Sequence, residues 1–134
     1  MIKYQFIVRS LTLTVIVSCQ LLVVNFASAQ TDYSQQYSIA KKLYTDGKFN
    51  LAMETFKSLI PYSQGNPYSE YASFYYALSA YRQGFSAVSK DMFSQIKSLY
   101  PNWDKIDEVN LWLAKIHFDN KDYFQGLRIL GAIK

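Results

Sequence analysis

The 134-residue chain has one cysteine, one histidine, three prolines and five glycines. The single cysteine, Cys19, lies among the first 29 residues, so the rest of the chain can form neither a structural disulfide nor a thiolate metal site. A large excess of one sign of charge is missing as well, with 14 Lys and Arg against 10 Asp and Glu. What is abundant is apolar: 50% of the residues are hydrophobic and 17% aromatic, which excludes a disordered or low-complexity chain. The length suffices for one domain, because two independent cores would need roughly 100 residues each.

Residues 1–29 hold Lys3 and Arg9 but no acid. An apolar stretch follows from Leu11 to Phe26, interrupted by a few polar residues, and ends in Ala27-Ser28-Ala29 before Gln30. This is the pattern of a secretory signal peptide with a small-x-small cleavage site, so the mature chain is expected to begin at Gln30. Two alternatives stand beside it. The apolar stretch is near the lower length limit for a membrane anchor. Ile16-Val17-Ser18-Cys19 is similar to a bacterial lipobox, which would give a membrane tether through lipidated Cys19, although Leu21 to Phe26 would then put an apolar run where a polar tether belongs. Two of the basic residues and none of the acids fall within the signal, leaving a formal charge of +2. Apart from Lys41-Lys42 the remaining cations stand singly, and no nucleic-acid partner is expected.

An internal repeat organises the rest. Ala40, Ala77 and Ala114 are spaced by 37, as are Tyr44, Tyr81 and Phe118, then Phe56, Phe93 and Leu130, and Leu59, Ile96 and Ile133. Small residues Ala52, Ser89 and Gly126 keep the same register, and the turn position is Gly47, Gly84 and Lys121. Within each copy the apolar residues recur three to four apart on both sides of the turn, which predicts two helices per copy and an all-α fold. Glycine suits the left-handed residue that closes a helix. The copies run over about 34–66, 67–103 and 104–134, punctuated by Pro61, Gly65, Asn66 and Pro67, then by Pro101, Asn102 and Asp104. Asn66 before Pro67, and Asp104 or Asp107 before Val109, are expected to start the following helices. The small residues let the paired backbones approach, and stacked copies bury a core that one copy alone could not.

Taken together, Ala40, Gly47, Phe49, Ala52 and Phe56, then Ala77, Gly84, Phe93 and Pro101, then Ala114, Tyr123, Gly126 and Leu130, resemble the tetratricopeptide repeat over nearly the whole mature chain. The fold expected is a helical-hairpin solenoid of three repeats with period 37. The longer linker and Leu99-Tyr100-Pro101 are similar to the variety in exported bacterial envelope proteins, such as outer-membrane assembly lipoproteins and the periplasmic partner of the Tol-Pal system. The chain departs from the family at Ser89, Gly126 and Lys121, and at Ser86, where an aromatic is expected and the second turn could be shifted by a residue. The resemblance implies a scaffold in the periplasm or outer envelope that binds a protein or peptide on the concave face formed by the first helix of each copy. The carboxylate clamp of some members is missing, since Tyr37, Lys41, Tyr75, Glu108 and Trp112 fall near the corresponding faces.

His117 keeps register with Leu43 and Ala80, facing its own partner helix, and Asp119 and Asp122 do not add two ligands there. A structural histidine is expected, with no metal, no cofactor and no catalytic constellation. The aromatics carry the remaining signal. Tyr71, Phe74, Leu78 and Tyr81 recur at three-to-four spacing, Tyr37, Lys41 and Tyr44 continue the stripe in the first copy, and Leu111, Lys115 and Phe118 in the third. These ten form the expected partner-binding groove, while Tyr75 and Tyr76 are assigned to packing between copies. A protein or peptide is the partner expected of such rings, with peptidoglycan or another glycan as the alternative. The last copy runs to Lys134 without a polar capping helix, so the chain is expected to be the N-terminal part of a longer protein, to pair with a partner through that end, or to be a marginal three-copy domain.

Overall fold

The computed structural model describes residues 32–61 and 65–133. The expected signal peptide, its cleavage site and Cys19 lie outside them. The described residues are all-α, without a strand: α1 (Tyr33–Thr45), α2 (Phe49–Lys57), α3 (Ser69–Arg82), α4 (Ser86–Leu99), α5 (Ile106–Asp119) and α6 (Tyr123–Leu130).

Three tight turns join the helices into hairpins, and their backbone bonds repeat at 37 residues. The amides of Gly47, Gly84 and Lys121 donate to the carbonyls of Tyr44, Tyr81 and Phe118. Those of Lys48, Phe85 and Asp122 reach back to Leu43, Ala80 and His117. This pair of bonds satisfies carbonyls left open at a helix C-terminus, and it requires a left-handed residue. Gly47 and Gly84 supply it with φ of 74° and 81°, and Lys121 adopts the same conformation at φ 62°. The second turn is therefore not shifted by Ser86. Gly84 keeps the register of Gly47.

The expected helix starts are partly corrected. Asp104 and Asp107 do not cap α5, whose first residue follows Lys105 without a side-chain bond. Asp107 lies inside the first turn with Glu108, where negative charge complements the helix dipole. Asn66 closes a turn instead of capping α3. Its Oδ1 accepts from the Tyr68 amide at 3.0 Å, while its Nδ2 donates to the Leu59 carbonyl at 3.0 Å and to Ser69 Oγ at 3.2 Å. Asn66 thus ties the end of the first hairpin to the start of α3. Asp122 does cap α6, accepting from the Gln125 amide at 3.3 Å.

Each helix packs on the next in sequence, and α1 also touches α3. The small residues explain the approach: Ala40, Ala52, Ala77, Ser89 and Ala114 are all buried, and a Cβ at Gly126 would come within 3.0 Å of the Phe118 ring. Ala40, Ala52, Phe56, Leu59 and Ala72 form one core cluster. A second gathers Phe74, Leu78, Phe93, Ile96, Val109, Leu113 and Ile116 around Ala77. Tyr44 and Tyr75 border both clusters, so the two cores are continuous through aromatic rings. Burial of each large side chain contributes about 1.5 to 3 kcal/mol.

Candidate interaction surface

The first helix of each hairpin, α1, α3 and α5, carries most of the aromatic side chains that remain partly open. Tyr37 on α1 stacks on Tyr68, with ring centroids 4.6 Å apart and planes at 16°. Edge contacts lead from it to Tyr71 at 6.4 Å and Tyr75 at 6.5 Å. Tyr44, one helical turn pair along α1, meets Tyr75 edge-on at 5.3 Å. The Lys41 ammonium lies between these positions, 3.6 Å from the Tyr75 centroid. Helical spacing on α1 thus delivers two rings and a cation to one neighbouring helix.

The array continues toward the third hairpin. Tyr71 contacts Trp103 edge-on at 5.2 Å, and Tyr81 contacts Trp112 at 5.3 Å. The Tyr81 hydroxyl donates to Asp119 Oδ2, and Lys115 bonds the same carboxylate at 3.2 Å. Because the Tyr81 hydroxyl donates to it and Lys115 pairs with it, Asp119 is held below the usual carboxylate range. Hydrogen bonding to Tyr81, then to Asp119, pushes the Lys115 ammonium up. Lys105 is pushed up by its hydrogen bond to Glu108, 3.1 Å away. Burial, followed by the neighbouring Tyr75, Tyr71 and Tyr68, pushes the Tyr37 phenol up.

Two residues of the expected groove are enclosed in the core. Phe74 is 1% exposed and Leu78 5%, and both belong to the second core cluster. The Phe74 ring is wedged between Phe93 at 5.6 Å and Trp103 at 5.8 Å. The middle hairpin has a neighbouring hairpin on both sides, so side chains in register with open positions elsewhere are enclosed here. Tyr37, Lys41, Tyr44, Tyr71, Tyr81 and Phe118 are half-buried, while Lys115 and Leu111 are exposed. Leu111, at 52%, is exposed, as are Leu127 and Phe124 of the same hairpin.

Tyr75 is the main addition. It does pack between copies, as expected, bordering both core clusters, and in doing so touches Tyr37, Tyr44 and Lys41 at once. Its 37-residue counterpart is Trp112, and that pairing was a readable signal. Tyr68 and Trp103 precede their helices and have no periodic partner to point to them.

No protein-family model matches the chain, and no curated protein matches it.

The arrangement offers flat rings with polar edges and two lysines, fixed by edge-to-face contacts worth about 0.5 to 1.5 kcal/mol beyond burial. Rings restrained in this way lose little freedom when a ligand settles on them. Among the described residues no three His, Cys, Asp or Glu side chains are grouped to hold a metal ion. The sole histidine bonds Asp122 through Nδ1 at 2.9 Å and braces the third turn.

Proposed function

We propose that residues 30–134 form a tetratricopeptide-like solenoid of three repeats that serves as a protein-interaction scaffold. The reading places it in the periplasm or outer envelope of a bacterium, after export directed by residues 1–29. What supports the repeat assignment is the recurrence of one turn, bond for bond, at Gly47, Gly84 and Lys121. What carries the binding role is the aromatic array from Tyr68 and Tyr37 through Tyr75 and Tyr44 to Tyr81 and Trp112. Partly open tyrosine and tryptophan rings are the usual anchors of a protein interface. The revised groove comprises Tyr37, Lys41, Tyr44, Tyr71, Tyr75, Tyr81, Trp112 and Lys115, and its ligand is a protein segment or peptide with apolar side chains.

The test is capture from a bacterial envelope extract by residues 30–134, beside a Tyr44→Ala, Tyr81→Ala variant whose helicity is checked by circular dichroism. A defined protein retained by the parent and lost by the folded variant supports the groove. Equal retention by both moves binding away from the rings, and retention of peptidoglycan alone favours a glycan ligand.

A further inference from the structure

A cleft of about 500 Å³ opens between α4 and α6, with α5 as its floor. It lies on the second helices of the second and third hairpins, away from the aromatic array of the first helices. Its polar lining is one-sided in charge. Lys97 comes from α4, Arg128 from α6 and His117 from α5, with Ser94, Ser98 and Gln125 between them. Leu113 and Ile129 supply an apolar floor.

Neither Lys97 nor Arg128 has a carboxylate within ion-pair distance among the described residues, whose ion pairs involve other side chains. Arg128 is nevertheless oriented. Its Nε donates to Gln125 Oε1 at 2.9 Å, which leaves the two terminal guanidinium nitrogens to a ligand. His117 is oriented too, because Asp122 takes Nδ1 at 2.9 Å and leaves Nε2 for the cleft. Asp122, the acid bonded to His117, also accepts from the Gln125 amide. Ser94 spends its hydroxyl proton on the Lys90 carbonyl at 2.8 Å, whereas among the described residues no hydrogen bond occupies the Ser98 hydroxyl.

We infer that this cleft binds a phosphoryl group, carried by a small phosphomonoester. Donor-bearing side chains from three helices line the one cleft, so an anion with three acceptor oxygens suits it better than a carboxylate with two. The guanidinium offers two parallel N–H groups and the lysine a point charge, the usual complement for phosphate. His117 Nε2 suits either protonation state of the ligand: an imidazolium donates to a phosphoryl oxygen, and a neutral imidazole accepts from P–OH, which a phosphomonoester retains in part near neutral pH. The volume exceeds that of a bare phosphate and lies in the range of small-molecule sites, leaving Leu113 and Ile129 to cover the ester's organic part.

Because His117 is the only histidine, its ring signals in a proton–carbon NMR spectrum report this cleft alone. Glycerol-1-phosphate, inorganic phosphate and vesicles containing phosphatidic acid are titrated separately, at constant pH and at ionic strength matched with chloride. The expected result is a saturable shift of the His117 signals with glycerol-1-phosphate, weakened at least tenfold in Lys97→Gln, Arg128→Gln and retained in Lys97→Arg. A response to vesicles but not to the soluble ester would assign the phosphoryl group to a lipid headgroup, and a response to inorganic phosphate alone would mean that the organic part is not recognised. The proposal is overturned if none of the three shifts His117, if chloride produces the same change, or if the Gln variant binds as the parent does. Melting temperature checks the fold of that variant, and the exposed single change Arg128→Gln replaces it should the pair unfold. The outcome is independent of the groove reading, since no residue is shared.

Discussion

The Lys41 ammonium rests 3.6 Å from the centroid of the Tyr75 ring, joining the first hairpin to the second. A cation at this distance over a half-buried ring contributes about 0.5 to 2 kcal/mol. Lys41→Met keeps most of the stem and removes the charge, so it isolates that contribution. In urea unfolding, Lys41→Met and Tyr75→Leu are each expected to destabilise the domain, and the double variant should lose less than their sum by about 0.5 to 1 kcal/mol. Additive effects would show that the pair is not coupled.

Lys121 adopts the same left-handed conformation as Gly47 and Gly84, at φ 62°. A side chain there costs about 1 kcal/mol, and nothing lies within 4 Å of a Cβ built on Gly47 or Gly84, so the cost is one of backbone conformation alone. Lys121→Gly is therefore expected to raise stability by about 0.5 to 1 kcal/mol, and Gly84→Ala to lower it by a similar amount. Thermal melting of the two variants checks the opposite signs. A destabilised Lys121→Gly would mean that the lysine side chain contributes more than its backbone costs.

At the position occupied by Ala52 in the first hairpin, the second carries Ser89, fully buried and with no hydrogen-bond partner for its hydroxyl among the described residues. An unsatisfied buried hydroxyl costs about 1 to 3 kcal/mol. Ser89→Ala removes it with almost no change of volume, and serine is also the poorer helix former. The variant is expected to unfold at a higher urea concentration, by about 1 kcal/mol or more at equal slope. An unchanged midpoint would point to a partner that satisfies the hydroxyl in solution.

The turns were readable because their chemistry is local. A residue that must be left-handed is marked by glycine at 47 and 84, and the backbone bonds follow from that geometry. The exposure of the groove was not local. Tyr37, Phe74 and Leu111 share one register position, yet the first is half-buried, the second enclosed by Trp103 and Phe93, and the third open. What differs is the neighbourhood, since only the middle hairpin packs against one on each side, which periodicity does not describe. The sequence nevertheless held a trace of it: the position that is Lys41 and Lys115 in the outer hairpins is Leu78 in the covered one. The caps failed for a related reason. Aspartate near a helix start is a cap only when the chain brings its oxygen to a free amide, and that occurs at Asp122 but not at Asp104 or Asp107.

Alkaline pH should weaken the fold through its tyrosines. Burial and the surrounding phenols push Tyr37 above its ordinary value of 10.0, and burial followed by Glu70 pushes Tyr100 in the same direction. With a raised value the folded state keeps a proton that the unfolded chain gives up once the pH passes 10.0. Stability from this source is therefore complete below that pH and declines as the pH rises toward the folded-state values. Urea midpoints are expected to be level from pH 7 to 9 and to fall from pH 10 upward. Tyr37→Phe preserves the ring stacked on Tyr68 and removes the ionisable group, so its midpoint should fall less steeply over the same interval. Absorbance at the phenolate band provides the second reading, in which the parent shows one more late-titrating tyrosine than the variant. Identical alkaline slopes in parent and Tyr37→Phe would assign the loss of stability to other residues and leave Tyr37 as a packing ring only.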